Sequence, residues 1–404
     1  MPGSLSGFRV LDLSRILAGP WASQMLADLG AEVIKIERPG SGDDTRAWGP
    51  PYMPDEVGEP TLETAYFHST NRGKQSVCID MSQPRGQELI HDLARQSDVL
   101  IENFKVGGLK KYGLDYKTLK ATNPKLVYCS ITGFGQTGPY AGRAGYDFMI
   151  QAMGGMMSVT GEAHGQPMKI GVALADILTG LYAANAIQAA LIHQQKTGIG
   201  QYIDMALLDV QVATLANQAM NYLASGNNPG RLGNAHPNIV PYQAFQTDDG
   251  HIILAIGNDA QFQRFCELSG RQDLAEDARF IKNSDRVRHR DLLVPHVVEI
   301  MRAQPSDWWL DNLNSRGIPC GPINSLDQVF ADEQVQHRGM QLQLGHATAG
   351  KVASVANPIK MSETPVAYER APPLLGQHTD EVLLGVLKLE QATIDQLRNS
   401  GVIG

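Results

Sequence analysis

Arg9-Val-Leu-Asp-Leu-Ser-Arg-Ile-Leu-Ala-Gly-Pro-Trp-Ala-Ser-Gln-Met-Leu-Ala-Asp-Leu-Gly-Ala-Glu-Val-Ile-Lys-Ile-Glu37 decides the fold. Residues 9–13 form an apolar run suited to a buried strand. Residues 21–29 have helical spacing and stop at Gly30, and 31–37 are apolar enough for a second strand. A strand, a crossover helix and a strand make the unit from which parallel sheets are built.

The alternation continues outward. Residues 76–80, 98–102, 126–131 and 202–206 read as strands, with helices over about 83–96 and 147–157 and a long alanine-rich one after Asp176. The expected class is α/β: a large Rossmann-like parallel-sheet domain plus a smaller α+β domain. Around 226–237 the composition turns to Gly, Asn and Pro, which marks a linker. The expected boundaries are 1–225 for the first part of the large domain and 226–325 for the small one. Residues 326–404 have too little core to stand alone and return to the large domain or to a partner.

Composition removes several classes. A net charge of -8 argues against a nucleic-acid partner, because phosphate backbones require a basic surface. Cys78, Cys129, Cys266 and Cys320 are scattered, with no C-x-x-C and no H-E-x-x-H, so no metal site is expected. No run of about 18 apolar residues predicts a membrane span. No signal-peptide pattern precedes residue 8, so a cytoplasmic location is expected, with a removed organellar presequence left open.

Gly171-Val-Ala-Leu-Ala-Asp-Ile-Leu-Thr-Gly180 is nearly apolar except for Asp176. An Asp there is either a helix-start residue satisfying backbone amides or a nucleophilic carboxylate aimed into a pocket. Gly133-Phe-Gly-Gln-Thr-Gly138 matches G-x-G-x-x-G after a strand, which raises an NAD-dependent oxidoreductase as an alternative. Pro139, Gly142 and Gly145 follow, however, and favour a tight loop over a helix start. Arg46 and Trp48 lie in a Gly-Pro-Pro-ended loop after the second strand, where α/β folds place ligands. Arg15, Arg38, Arg72, Lys74, Lys105, Lys110 and Lys111 recur at strand ends and would gather at one rim suited to a polyphosphate. Asn103 and Phe104 offer an amide and an apolar face between them. His236 sits in the linker. No G-x-S-x-G elbow is present, which disfavours a serine hydrolase.

These motifs converge. Residues 10–20 and 29–39, Gly42-Asp-Asp-Thr-Arg46, Asn71-Arg-Gly-Lys-Gln-Ser76, Glu102-Asn-Phe104, Ser130-Ile-Thr-Gly-Phe-Gly135 and Ala175-Asp-Ile-Leu-Thr-Gly180 stand in order along the chain. Together they resemble the class III CoA-transferases, the formyl-CoA and carnitine CoA-transferase family. The resemblance implies Asp176 as nucleophile, acting through a mixed anhydride and an aspartyl-CoA thioester. It implies CoA contacts at Ala18, Arg38, Asn71, Lys74, Asn103, Phe104 and Lys111, the last standing where some members have arginine; Arg15 joins them from the basic rim. It also implies a CoA thioester as substrate with no tightly bound cofactor, and an interlocked homodimer. An ordinary Asp pKa of about 3.9 would leave the nucleophile ionised without a base. Amides at the helix start and in the glycine loop would hold the oxyanion.

Related 2-methylacyl-CoA racemases carry His where this chain has Tyr146. A phenol is a poor base at neutral pH, which leaves racemase as the alternative within the superfamily. Residues 43–51, 235–245 and 372–378 are similar to members that exchange CoA between succinyl-CoA and glutarate. That implies succinyl-CoA as donor and a short dicarboxylate as acceptor. Arg46, Arg72 and His236 are the candidates for its distal carboxylate.

Overall fold

The structure, a computed structural model, describes residues 3–404. Eight strands lie in its first half: β1 (Arg9–Asp12), β2 (Glu32–Glu37), β3 (Tyr52–Pro54), β4 (Pro60–Thr64), β5 (Lys74–Cys78), β6 (Val99–Glu102), β7 (Val127–Thr132) and β8 (Tyr202–Ala206). Six of them form one sheet in the order β5-β2-β1-β6-β7-β8, with every pairing parallel. The chain winds outward from β1 to β5, then crosses back to β6 and winds the other way. β1 and β6 therefore flank the switch point, where the two connections leave in opposite directions and open a crevice. β3 and β4 form a separate antiparallel hairpin.

Both faces of the sheet are covered. Helices Ala18–Asp28 and Leu174–Thr197 pack on one face around Ala22, Leu26, Ile101, Ala183 and Ile187. Helices Pro84–Arg95 and Tyr116–Thr122, with the C-terminal helices Thr379–Gly385 and Gln391–Asn399, cover the other around Leu11, Ile34, Leu93 and Leu100. The first pair meets closely. A Cβ on Gly180 would lie 2.7 Å from the Ala18 carbonyl oxygen, so glycine sets how near the two helices come.

The chain divides into two compact units. One is Met1–Met156, Ile170–Ala219 and Glu333–Gly404; the other is Met157–Lys169 and Met220–Asp332. The second unit thus begins near 220 rather than 226 and also takes in residues 157–169. The C-terminal segment belongs to the sheet unit from Glu333 onward, while residues 326–332 stay with the second unit; Ile403 bridges to Ile79, and the Asp80 amide donates to the Val402 carbonyl at 2.8 Å. It contributes a further antiparallel pair, Gln341–His346 with Gly350–Val355.

In the second unit β9 (Tyr242–Gln246), β10 (His251–Ala255) and β11 (Cys320–Pro322) form an antiparallel sheet. Helices Asp259–Leu268, Arg290–Met301 and Ser306–Ser315 supply Phe262, Phe265 and Trp309 to its core. Asn258 caps the first of these helices by accepting the Gln261 amide at 2.9 Å. The segment 256–259 is held there as a helix cap.

Candidate active site

Asp176 stands in the first turn of Leu174–Thr197 and borders a cavity of 450 Å³ with Arg15, Ala18, Asn103, Lys111 and Tyr146. A second cavity of 620 Å³ is lined by Arg38, Trp48 and Asp44, and shares Arg15 and Phe104 with the first. Both open on residues that follow β1, β2 and β6, which is the crevice that the strand order predicts.

The helix start is not free. The Ala175 amide donates to Asp147 Oδ1 at 2.8 Å, with the Asp176 amide at 3.4 Å from the same oxygen. The Leu174 amide donates to the Val172 carbonyl. Asp147 thereby performs the capping that the helix-start reading assigned to Asp176 and occupies amides that the nucleophile reading left for an oxyanion. Two expectations change. The helix-start amides are not open to a substrate oxyanion. The Asp176 carboxyl also does not keep an ordinary acidity: burial, and secondly the Asp147 charge, push it up to about 7. Among the described residues no donor reaches its carboxylate oxygens.

Arg15, Ala18, Arg38, Asn103, Phe104, Lys111, Trp48 and Tyr146 all border one cavity or the other. Asn103 also clasps the loop after β1. Its amide oxygen accepts the Arg15 N–H at 3.0 Å, and its amide nitrogen donates to the Arg15 carbonyl at 2.7 Å. The loop after β6 thus fixes the loop after β1 across the switch point. Tyr146 is mostly exposed and precedes the short helix Asp147–Met153.

Other expected contacts lie elsewhere. Asn71 and Lys74 are wholly buried. Lys74 Nζ donates to Asn71 Oδ1 at 2.9 Å and to the Pro20 carbonyl at 3.0 Å, and pairs with Asp12 Oδ2 at 3.2 Å. Burial drives Lys74 down to about 7 even with Asp12 beside it. These two residues brace the rim from inside and cannot touch a ligand in this arrangement.

Arg46 and Arg72 are likewise committed. Arg46 forks onto Glu37 with two bonds of 2.8 Å and lies 3.6 Å from the centre of the Phe67 ring. Arg72 forks onto Asp28 and donates to the Val355 carbonyl at 2.7 Å. Neither guanidinium is left for an acceptor's distal carboxylate. His236 belongs to the second unit, where burial and then Arg290 lower its pKa and favour the neutral imidazole, a poor anion ligand.

The glycines at 133–138 do not open a helix. The next helix is Asp147–Met153, and a Cβ on Gly133 would lie 2.4 Å from the Gly145 Cα. The glycines serve a close backbone crossing, which removes the geometric basis of the dinucleotide alternative.

Two features were not legible in the sequence. Asp147 caps a helix that begins 27 residues further on, beyond the reach of any local capping pattern. Glu63, His68 and His346 bring donor atoms within 4.8 Å of one another, the one such trio among the described residues. It suits a cation poorly. The Arg46 guanidinium lies 3.5 Å from Glu63, and His346 Nδ1 accepts the Ala349 amide at 3.1 Å, which leaves the ring proton on Nε2.

Comparison with known proteins now decides the family. Residues 5–379 match the model of CoA-transferase family III. The chain belongs to that family. It is 54% identical over 391 residues to succinate–glutarate CoA-transferase of Agrobacterium fabrum, covering 96% of each chain. It is 43% identical to human succinyl-CoA:glutarate CoA-transferase, over 99% of this chain and 90% of that one. A solved CaiB/BaiF family protein from Brucella suis superposes with a TM-score of 0.83 at 52% identity, covering 95% of this chain and 99% of that one. This chain is a class III CoA-transferase that uses CoA thioesters as substrates.

Proposed function

We propose that this family III transferase moves CoA from succinyl-CoA to a short dicarboxylate of the glutarate type, with Asp176 as the nucleophile. The observation that carries the reading is the position of Asp176: at the wall of a cavity, on a rigid core helix, with no donor on its carboxylate oxygens. A carboxylate stripped of hydrogen bonds is a stronger nucleophile than a solvated one.

An Asp176 oxygen attacks the thioester carbonyl. The tetrahedral intermediate collapses with loss of the CoA thiolate and leaves a mixed anhydride. The thiolate then attacks the aspartyl carbonyl, succinate departs as a carboxylate, and an aspartyl-CoA thioester remains. The acceptor carboxylate reverses these steps, so no net proton is transferred. Asp147 holds the helix end, and burial, with the Asp147 charge added, keeps the Asp176 carboxyl titrating near neutral pH. Arg38 and Lys111, which border the cavities, would meet the CoA phosphates, and Phe104 would offer an apolar wall. No bound cofactor or metal is needed for any step.

The acceptor class follows the named activities of the relatives, which we transfer to this chain as part of the proposal. With Arg46 and Arg72 paired internally, the distal carboxylate is left to groups other than those two. The homodimer is proposed as well. Phe148, Leu181, Tyr182, Ile192 and Val212 are large apolar residues left exposed on the helices around Asp176, and a second copy of the chain would cover them. Helix Leu174–Thr197 is long and apolar enough to cross a bilayer by length and composition; its packing against Ala18–Asp28 accounts for that character in a core helix. A cytoplasmic site of action completes the reading.

Exchange of labelled succinate into succinyl-CoA tests the function. Wild type should exchange and Asp176→Asn should not. Equal exchange by both removes Asp176 from the chemistry, and a wild type that exchanges no acid but washes out an α-proton is a racemase.

A further inference from the structure

The two cavities meet at Arg15, whose main chain is fixed and whose side chain is not. Asn103 holds both its N–H and its carbonyl. The next residue, Ile16, has a φ of 72°, and its amide donates to the Asp43 carboxylate at 3.1 Å. A β-branched residue in the left-handed region persists only where its surroundings enforce it. Asp43 is a firm anchor: burial opposes its ionisation, but Lys35 and the Thr45 groups hold it at about 2.

The Arg15 guanidinium, in contrast, bonds Asp44 Oδ2 at 2.9 Å with both side chains 46% exposed. It also lies 5.5 Å from the Phe104 ring centre. An exposed pair of this kind contributes little and exchanges partners readily. In the larger cavity Lys35 is matched by Asp43 and Glu37 by Arg46, and Asp80 accepts from Ser82 and Gln83. Arg15 and Arg38 are the cations on its wall able to turn to an anion.

We propose that Arg15 exchanges Asp44 for the diphosphate of the CoA thioester, so that Asp44 acts as an internal competitor and the pair makes the site read the nucleotide end of its substrate. Before binding, Asp44 occupies the guanidinium and sets a threshold. A diphosphate, with more charge and more acceptor oxygens than one carboxylate, displaces it. A thioester that lacks the nucleotide cannot. The idea rests on the CoA-transferase reading, but its test reads binding alone and is separable from it.

The experiment is calorimetric titration of the full-length protein with free CoA and with pantetheine. The variants are Asp44→Asn, Arg15→Gln and the double, with thermal unfolding as the check on fold. Asp44→Asn should tighten CoA about threefold by releasing Arg15. Arg15→Gln should weaken CoA about tenfold and abolish the Asp44→Asn gain in the double variant. The ratio of CoA to pantetheine affinity should follow these changes, because pantetheine has no diphosphate. Weaker CoA binding by a folded Asp44→Asn, or equal changes for both ligands, would overturn the exchange and make the pair a mere shape of the wall. If the wild type binds CoA as described but exchanges no succinate, the proposed function fails and the exchange stands.

Discussion

Asp147 accepts the Ala175 amide at 2.8 Å and so caps the helix that carries Asp176, whose acidity burial, and secondly the Asp147 charge, reduce. The arrangement uses a like charge where a neutral cap would serve the helix equally. Its effect is to oppose ionisation of Asp176, on top of burial.

The activity limb should lie near pH 7. Below about 7 Asp176 is protonated and is no nucleophile, so kcat/KM for the acyl-CoA donor should fall tenfold per pH unit. Asp147→Asn keeps an acceptor for the Ala175 amide but removes the charge. Its limb should move to lower pH, by less than one pH unit because burial is the larger cause. A pH–rate profile that leaves the limb in place would assign the whole shift to burial.

Asp176→Asn should be more stable than the wild type at pH 8. The folded pKa, about 7, lies above the ordinary 3.8, so the fold binds this proton more tightly than the unfolded chain does. Stability from the group is present below the ordinary value and is lost as pH rises through the folded one. The neutral amide escapes that loss. The Tm difference between the two proteins should shrink towards zero as pH approaches 4, and a gain that is equal at both pH values would contradict the linkage.

Arg46→Ala and Arg72→Ala should damage the fold and spare recognition of the acceptor. Each removal leaves a mostly buried carboxylate, Glu37 or Asp28, without its forked partner. Breaking a buried pair in this way costs on the order of 3 kcal/mol, visible in denaturant unfolding. In the folded fraction the KM for the acceptor dicarboxylate should stay within about twofold. A large selective rise in that KM would restore either arginine to the substrate site.

Gly145→Ala should lower kcat/KM for the donor by tenfold or more on the order of a misplaced-site effect. Its Cβ would stand 2.2 Å from the Gly133 Cα, so two backbones that border the Asp176 cavity must separate. Unchanged kinetics would show that the crossing does not shape the site.

Most of the sheet was readable in the sequence because strands such as β1, β6 and β7 are buried, largely apolar runs between helices, which is the pattern parallel sheets impose. The fifth strand shows where such reading fails. It begins at Lys74, a charge that hydropathy assigns to the surface, and the carboxylate that permits its burial, Asp12, lies 62 residues away. Arg15, Arg38 and Lys111 of the basic rim do border the cavities, but Arg72 of that rim, and Arg46 in the loop after the second strand, do not serve as read. Their positions in the sequence could not show Asp28 and Glu37 beside them. Asp176 was legible as a lone carboxylate in an apolar helix; its cap, Asp147, was not, since the bond joins two helices across a loop. The hairpin Tyr52–Thr64 also escaped, because its strands are short and carry no apolar alternation.

The central claim is that Asp176 becomes covalently bound to CoA. Intact-protein and peptide mass spectrometry of the enzyme, acid-quenched after mixing with succinyl-CoA in the absence of acceptor, tests it most directly. The account predicts a CoA adduct, formed with loss of water, on the peptide that contains Asp176; the adduct should be absent from Asp176→Asn and discharged by glutarate. An enzyme that turns over succinyl-CoA and glutarate while never carrying that adduct, or carrying it on another residue, would contradict the mechanism.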